Sequence, residues 1–374
     1  MKIIISEFFD LFSNILKTSV GIFLYLILPV TGISIIVSAI QYLYFKIKSD
    51  HKKFNFKKYF LRNFKFIIPI YIGIFCIYLT LKNVPFSDLS KYFYKINYSW
   101  VLLGVVFGAL SHISRSYRWK YLISPMGYKL GFINSILSVF SAYLINYTIP
   151  RAGDLARATM VSKYEDIPLD KTIGTIVAER VVDVICILLL ISFALVVEFD
   201  KISTKLTSLF QETNFSKILI YIVFLTSTLI IIYFIIRRLN IKNLLSNFFS
   251  GIYEGIIVIF KMDKSVWFIL HSFFIWIMYL LMFWATSMAF IELHDVPSYQ
   301  LIIAFTLAAL SIMFSNGGIG IYPLSVGISL SWYGIELTTG LAFGWVSWLS
   351  QTMLVVIFGG ISLIILPFIN KSKT

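Results

Sequence analysis

The sequence predicts an all-α polytopic membrane bundle with about seven membrane-spanning helices and two broken helical elements. Of its 374 residues, 59% are hydrophobic and only 13% are charged, and the mean hydropathy is +0.86. Average globular chains are about 45–50% apolar and about 25% charged. This composition excludes a soluble enzyme, a disordered chain and a nucleic-acid-binding module. Two kinds of apolar run support the predicted membrane bundle. Some are long enough to cross a bilayer, and two more are interrupted by Pro and Gly.

Seven apolar runs are long enough to cross a bilayer, which takes about 20 residues for each crossing. They cover residues 19–45, 66–82, 99–118, 173–197, 217–236, 265–290 and 341–368. We therefore divide the chain into two parts. Residues 1–59 supply an additional N-terminal helix and a basic loop, and residues 60–374 form the main membrane domain.

Two more apolar stretches are interrupted. Residues 131–149 end at the sequence PRAGD, and residues 300–335 contain the sequence NGGIG followed by Pro323. Pro removes a backbone donor and Gly adds backbone freedom, so both interrupt helices. Broken backbone at membrane depth persists only where protein or water satisfies it. We expect both stretches to be re-entrant elements that face the protein interior.

The distribution of Lys and Arg gives the orientation, because these residues accumulate on cytoplasmic loops. Residues 46–65 carry eight of them, whereas the loop at 291–299 carries none. Lys371 and Lys373 place the C-terminus in the cytoplasm. The same bias accounts for the net charge of +14, which we do not attribute to nucleic-acid binding. A bacterial-type cytoplasmic (inner) membrane is the expected location.

This orientation constrains the broken stretches. Two loops on opposite sides of the membrane must be separated by an odd number of crossings, and two loops on the same side by an even number. Residues 131–172 must enter and leave on the cytoplasmic side, and residues 300–335 on the outer side. Residues 66–197 and 217–368 then form an inverted-topology repeat. In transporters with such repeats, the substrate site lies near the midplane at broken helices. Two full crossings within 300–335 are the alternative.

The first break carries several charges directly after an apolar half-helix. Arg151 and Arg157 offer planar guanidinium groups that suit a phosphate or a carboxylate. Gly153 lets a headgroup approach the backbone, and Asp154 lies three residues before Arg157, on the same helical face. The alternative is an Arg–Asp pair that only fixes the start of a helix.

Three further charges lie near the start of the span at 173–197. Glu179 and Asp183 are four residues apart and share a helical face, and Arg180 is three residues from Asp183. Charges inside a membrane span must face water or the protein interior. We interpret them as part of a translocation site. The alternative is an internal ion-pair lock to the segment around residue 150. An Arg180→Ala variant is expected to be a poor test, because it would leave both acids without a partner.

The second break contains three glycines in four residues. Asn316, Gly317, Gly318 and Gly320 predict a turn whose backbone N–H groups are accessible, and such turns bind anions. The alternative is close helix packing through small residues.

A fourth cluster lies at the cytoplasmic end of the span at 99–118. Arg115 and Arg118 are three residues apart, and Trp119 follows. An interfacial belt of Arg and Trp is the expected interpretation, with a secondary site as the alternative. His112 lies deeper and is a candidate to line a cavity or to hydrogen-bond within the bundle.

The sequence predicts no metal and no cofactor. Its two cysteines, Cys76 and Cys186, each lie inside an apolar run, and the four histidines lie far apart. The sequence contains no phosphate-binding P-loop and no nucleophile elbow. We therefore expect no catalytic residue.

The order RW at 118–119, PRAGDLAR at 150–157, ERVVD at 179–183 and GGIG at 317–320 resembles the flippase-like family of lysylphosphatidylglycerol synthase transmembrane regions. That family includes the N-terminal membrane domain of the bacterial multiple-peptide-resistance factor. Asp154 stands where many members have Glu, and Tyr322-Pro323 follows GGIG where many members have an acidic residue. Bifunctional relatives carry a soluble aminoacyl-transfer domain, which this sequence lacks up to Thr374. We therefore do not expect synthase activity.

The resemblance implies movement of lipids between leaflets, with membrane lipids as partners. The broken helices and interior charges agree with a carrier for an amphiphile with a charged, phosphate-containing headgroup. Two alternatives stay open. One is a membrane-embedded transferase that acts on a lipid-linked substrate. The other is a non-catalytic membrane partner of a separately encoded lipid-modifying enzyme, such as a synthase or a glycosyltransferase.

Overall fold

Helices form all the regular structure in the computed structural model, which describes residues 28–47, 55–83, 86–149, 152–199 and 262–370. The predicted all-α class is confirmed for these ranges. In chain order the helices are α1 (Leu28–Ile47), α2 (Phe56–Asn83), α3 (Phe86–Lys95), α4 (Tyr98–Ile123), α5 (Phe132–Thr148), α6 (Gly153–Glu165), α7 (Leu169–Val197), α8 (Ser265–Ser287), α9 (Ser298–Ser311), α10 (Ile321–Ser331) and α11 (Leu337–Ile369).

Three of the described helices, α7, α8 and α11, are long and apolar enough to cross a membrane. A fourth crossing results if α3 and α4, which meet at a 90° bend, are counted as one bent span. The bounds of α7, α8 and α11 lie within four residues of the predicted runs. A helix satisfies every backbone polar group internally, which is why long apolar runs adopt it in lipid. The total of seven spans stays a prediction, and the run at 217–236 lies outside the described residues.

Each of the two interrupted stretches forms a pair of short helices. α5 and α6 have 17 and 13 residues, and α9 and α10 have 14 and 11. At 1.5 Å per residue, these helices are about 26, 20, 21 and 17 Å long, each less than the roughly 30 Å of a hydrocarbon core. These lengths favour re-entrant hairpins over full crossings. The side from which each hairpin enters stays a prediction, as does the inverted repeat.

Backbone contacts divide the chain into two compact units. The first takes its described residues from 1–110, 137–157 and 278–374, and the second takes them from 111–136 and 158–277.

In the first unit, α10 and α11 pack with almost no side chain between their backbones. A Cβ atom added to Gly340 would lie 2.9 Å from the Cα atom of Gly327. One added to Gly344 would lie 2.7 Å from the Cα atom of Pro323. Real Cβ atoms do not approach so closely, so only glycine fits at these two points of contact between the helices. Small residues bring helices together in membranes in this way.

In the second unit, apolar side chains pack around the fully buried Trp119 near the end of α4. The indole Nε1 of Trp119 donates a hydrogen bond of 2.8 Å to Oγ1 of Thr175 on α7. Glu165, at the end of α6, accepts hydrogen bonds from the backbone N–H of Gly131 and from Nδ2 of Asn134. These contacts hold the end of α6 beside the start of α5, as expected for a hairpin.

Candidate functional site

The first break lies between α5 and α6, and its glycine is required by close packing. The backbone N–H of Gly153 donates a hydrogen bond of 2.8 Å to Oδ1 of Asn146. A Cβ atom on Gly153 would overlap the carbonyl oxygen of Ala142. α6 therefore starts directly against α5. Among the predicted site residues here, Arg157 is buried and Asp154 is half-buried, while Arg151 lies outside the described residues.

The second break lies between α9 and α10, and its backbone adopts the conformation that only glycine accommodates readily. Gly317, Gly318 and Gly320 have φ values of +62°, +78° and +71°. L side chains are strained in this left-handed region, so the glycine-rich sequence permits the turn. The predicted turn is confirmed. Anion binding by its N–H groups stays a prediction.

The two breaks contact each other within the first unit. Nδ2 of Asn316 donates a hydrogen bond of 2.6 Å to the carbonyl oxygen of Tyr147, near the end of α5. The ring of Tyr147 lies so close to Gly317 that a Cβ atom there would overlap it. We call these contacts the break junction, and its residues are Tyr147, Asn316, Gly317, Trp348 and Thr352.

α11 completes the break junction with two side chains that sequence reasoning missed. Nε1 of Trp348 donates a hydrogen bond of 2.7 Å to the carbonyl oxygen of Gly317. The hydroxyl of Tyr147 lies 3.1 Å from Oγ1 of Thr352. These bonds satisfy carbonyl and hydroxyl groups that a broken helix would otherwise leave without partners in lipid. The junction is therefore uncharged and built from backbone and amide, indole or hydroxyl groups.

A charge cluster in the second unit joins α4 to α7. Nη1 of Arg115 lies 2.8 Å from Oδ2 of Asp183, and Nη1 of Arg180 lies 3.2 Å from the same oxygen. Nη2 of Arg118 lies 3.5 Å from Oδ1 of Asp183 and 3.8 Å from Oε1 of Glu179. The predicted shared face of Glu179 and Asp183 is confirmed, because both acids contact Arg118.

Burial differs sharply among these charges. The side chains of Arg118 and Glu179 are 0% exposed and that of Asp183 is 12% exposed, whereas that of Arg180 is 42% exposed. Nη1 of Arg118 also donates a hydrogen bond of 2.7 Å to Oγ of Ser272, and its guanidinium lies over the ring of Phe268. Arg118 is therefore held by α7 and α8 together.

The interfacial-belt interpretation of Arg115, Arg118 and Trp119 is wrong. All three side chains are buried in the protein, and the two arginines pair with carboxylates of α7. Helical spacing alone does not identify these partners, because it shows which residues share a face but not which helix covers that face. His112, one turn before Arg115, is also buried.

The described residues contain no group of three or more His, Cys, Asp and Glu side chains that could hold a metal ion. The arrangement offers two kinds of polar site instead. One is a neutral junction between broken helices, and the other is a cationic cluster with one exposed guanidinium group.

Comparison with known proteins gives the family. The family model described as the lysylphosphatidylglycerol synthase TM region matches residues 66–359. A UPF0104 membrane protein of Methanocaldococcus jannaschii is 30% identical over 122 residues, which cover 32% of this chain and 36% of that protein. The matched region thus spans only about a third of the length of that relative. No solved structure matches the present chain. Because the family match covers most of the sequence, this chain belongs to the family of lysylphosphatidylglycerol synthase transmembrane regions.

Proposed function

We propose that this protein is a lipid flippase of a bacterial-type cytoplasmic membrane, with its C-terminus in the cytoplasm. It moves an amphiphile with an anionic, phosphate-containing headgroup between the two leaflets. The observation that carries this proposal is the break junction, where two hairpins of short helices meet through Asn316 and Tyr147. The family match supports a role connected with membrane lipids.

The short helices explain how a headgroup crosses without a permanent pore. A hairpin whose arms are shorter than the bilayer can move against its partner without breaking a full-length span. In transporters built from inverted repeats, broken helices of this kind form the substrate site. The acyl chains stay in lipid while the polar headgroup passes the two breaks.

In this proposal the lipid keeps its covalent structure, and membrane lipids are the binding partners. The protein therefore acts as a transporter and not as a transferase. Lipid recovered after transport is expected to be chemically unchanged, whether or not a soluble lipid-modifying enzyme is present.

Leaflet exchange in liposomes tests the proposal. The purified protein is reconstituted with fluorescent phospholipids, and a membrane-impermeant reductant bleaches the outer leaflet. We expect the wild-type protein to expose the protected inner-leaflet lipid much faster than protein-free liposomes do. Asn316→Ala removes the hydrogen bond that joins the breaks and should slow exchange about fivefold, since one such bond contributes about 1 kcal/mol.

Ser350→Ala is the matched control. It also removes one hydrogen bond, but that bond lies within α11, from Oγ of Ser350 to the carbonyl oxygen of Ser347. Exchange by this variant should equal that of the wild type. Wild-type rates that match protein-free liposomes for every headgroup class would contradict the flippase proposal.

A further inference from the structure

Two serine side chains are buried in the middle of α5 without a protein partner. Ser138 and Ser141 are both 0% exposed. Neither hydroxyl forms a hydrogen bond with any residue that the structure describes. Counted from the start of α5 at Phe132, the two serines lie about 9 and 14 Å along a helix that is about 26 Å long. Both hydroxyls are therefore distant from either end of the helix.

Other buried serines in the described helices satisfy their hydroxyls within their own helix. Oγ of Ser329 donates a hydrogen bond of 2.9 Å to the carbonyl oxygen of Val326, and Oγ of Ser272 donates one of 2.8 Å to the carbonyl four residues before it. Serine hydroxyls often bond in this way in membrane helices. Since Ser138 and Ser141 form no such bond, their hydroxyls point away from the carbonyl groups of α5.

The surroundings of these two hydroxyls are apolar. Val139, Phe140 and Ala142, which are their neighbours in sequence, are 0%, 5% and 4% exposed. A hydroxyl that leaves water for such an environment without a new partner is unfavourable. Buried polar groups are almost always paired for this reason, and an internal water supplies the partner where the protein does not. The middle of α5 therefore needs one more hydrogen-bonding partner.

We infer that Ser138 and Ser141 bind one internal water molecule, which bridges their hydroxyls. Residues three positions apart on a helix have Cβ atoms about 5–6 Å apart. A water with two hydrogen bonds of about 2.8 Å can connect two hydroxyls at this separation. Each hydroxyl both donates and accepts, so the water can donate to one and accept from the other. The site goes beyond the proposed function and does not depend on it.

The chemistry of the site favours water over a cation. Its ligands are neutral hydroxyls, whereas a cation such as Ca²⁺ takes about six to eight oxygens that include carboxylates. Among the described residues, no group of three or more His, Cys, Asp and Glu side chains is suited to a metal. A small neutral ligand that donates and accepts hydrogen bonds matches two hydroxyls among apolar neighbours.

Thermal unfolding of the full-length protein in detergent tests the site through the sign of its effect. Ser138→Ala and Ser141→Ala each remove a hydrogen bond if water is bound, but they remove an unfavourable group if it is not. Ser329→Ala is the matched control, because Ser329 is also 0% exposed and its hydroxyl is bonded within α10. All three variants gain the helix propensity of alanine, so this gain cancels in the comparison. We expect both α5 variants to melt about 2 °C below the control.

X-ray radiolysis detects the water itself, because it converts bound water into hydroxyl radicals that oxidise adjacent side chains. Val139, between the two serines, and Val326, one turn before Ser329, are both 0% exposed and form a matched pair of reporters. Mass spectrometry of the wild type should find Val139 oxidised several-fold more than Val326. The double variant Ser138→Ala/Ser141→Ala should lower the oxidation of Val139 to the level of Val326, and Ser329→Ala should change neither.

Equal oxidation of Val139 and Val326 in the wild type would overturn the water site. Melting temperatures of both α5 variants at or above that of Ser329→Ala would also overturn it. A double variant whose loss equals the sum of the two single losses would overturn the shared water, because a bridging water is lost only once. Lipid exchange is measured in parallel. Its absence in the wild type would contradict the proposed function and leave the water site standing.

Discussion

The break junction and the charge cluster solve the same problem by opposite means. Each satisfies polar groups that would be costly in lipid. The junction does so with neutral hydrogen bonds around Asn316, Tyr147 and Trp348. The cluster does so with ion pairs around Arg118 and Asp183. Neutral hydrogen bonds can break and re-form at a small cost in free energy. Removing one member of a buried ion pair, by contrast, strongly destabilises the fold.

This difference predicts different roles for the break junction and the charge cluster. The junction is suited to rearrangement, because each of its bonds contributes only about 1 kcal/mol. The buried part of the cluster is suited to holding α4, α7 and α8 in place. Substitutions that act on one region should therefore affect transport, and substitutions that act on the other should affect folding.

Arg118→Gln should have the largest effect and should act on stability. It removes the fully buried cation that contacts both Glu179 and Asp183, and breaking a buried pair costs about 3–5 kcal/mol. We expect a large fall in the melting temperature and in the yield of folded protein in detergent. Arg180→Gln, in the exposed part of the same cluster, should keep nearly the wild-type melting temperature. Equal melting temperatures for wild type and Arg118→Gln would contradict a structural role for the buried charges.

Gly317→Ala should have the next largest effect and should act on transport. Its φ of +62° costs an L residue about 1–2 kcal/mol, and its Cβ atom would overlap the ring of Tyr147. The rearranged junction should exchange lipid about tenfold more slowly. Gly334→Ala is the control, because Gly334 has a φ of +85° but no atom within 4 Å of an added Cβ. It should lose similar stability and keep its exchange rate, whereas equal slowing in both would assign the effect to backbone strain alone.

Trp348→Phe should have the smallest of the three effects. It keeps an aromatic ring but removes the N–H that donates to the carbonyl oxygen of Gly317. Exchange should fall only a few-fold, as expected for about 1 kcal/mol. The control is Trp332→Phe, because Trp332 is half exposed outside the junction. If both variants exchange lipid like the wild type, the indole contact plays no part in transport.

Helix positions were largely predictable from the sequence. The runs at 173–197, 265–290 and 341–368 correspond to α7, α8 and α11, because a predominantly apolar run of this length has no other stable backbone in lipid. α3 was missed, since its 10 residues are too short for a crossing. Its amphipathic pattern, with Leu89 buried and Tyr94 exposed, was the available signal.

The candidate site was predictable only in part. The sequence identified both breaks and the charges of α7, but not the partners of those charges. Arg115 and Arg118 lie 61 to 68 positions before the acids that they contact, and a single sequence does not specify such pairs. Trp348 was missed for the same reason, although an indole N–H within an uncharged helix needs an acceptor and was a usable signal.

The length of α11 has a consequence for the membrane that surrounds the protein. Its 33 residues carry no charge and extend about 50 Å, well beyond a hydrocarbon core of about 30 Å. Such a helix fits its bilayer by tilting. Because α10 packs backbone to backbone on α11 at Gly327 and Gly340, one arm of the second hairpin must tilt with it. The thickness of the host membrane is thereby coupled to the inclination of the broken helix.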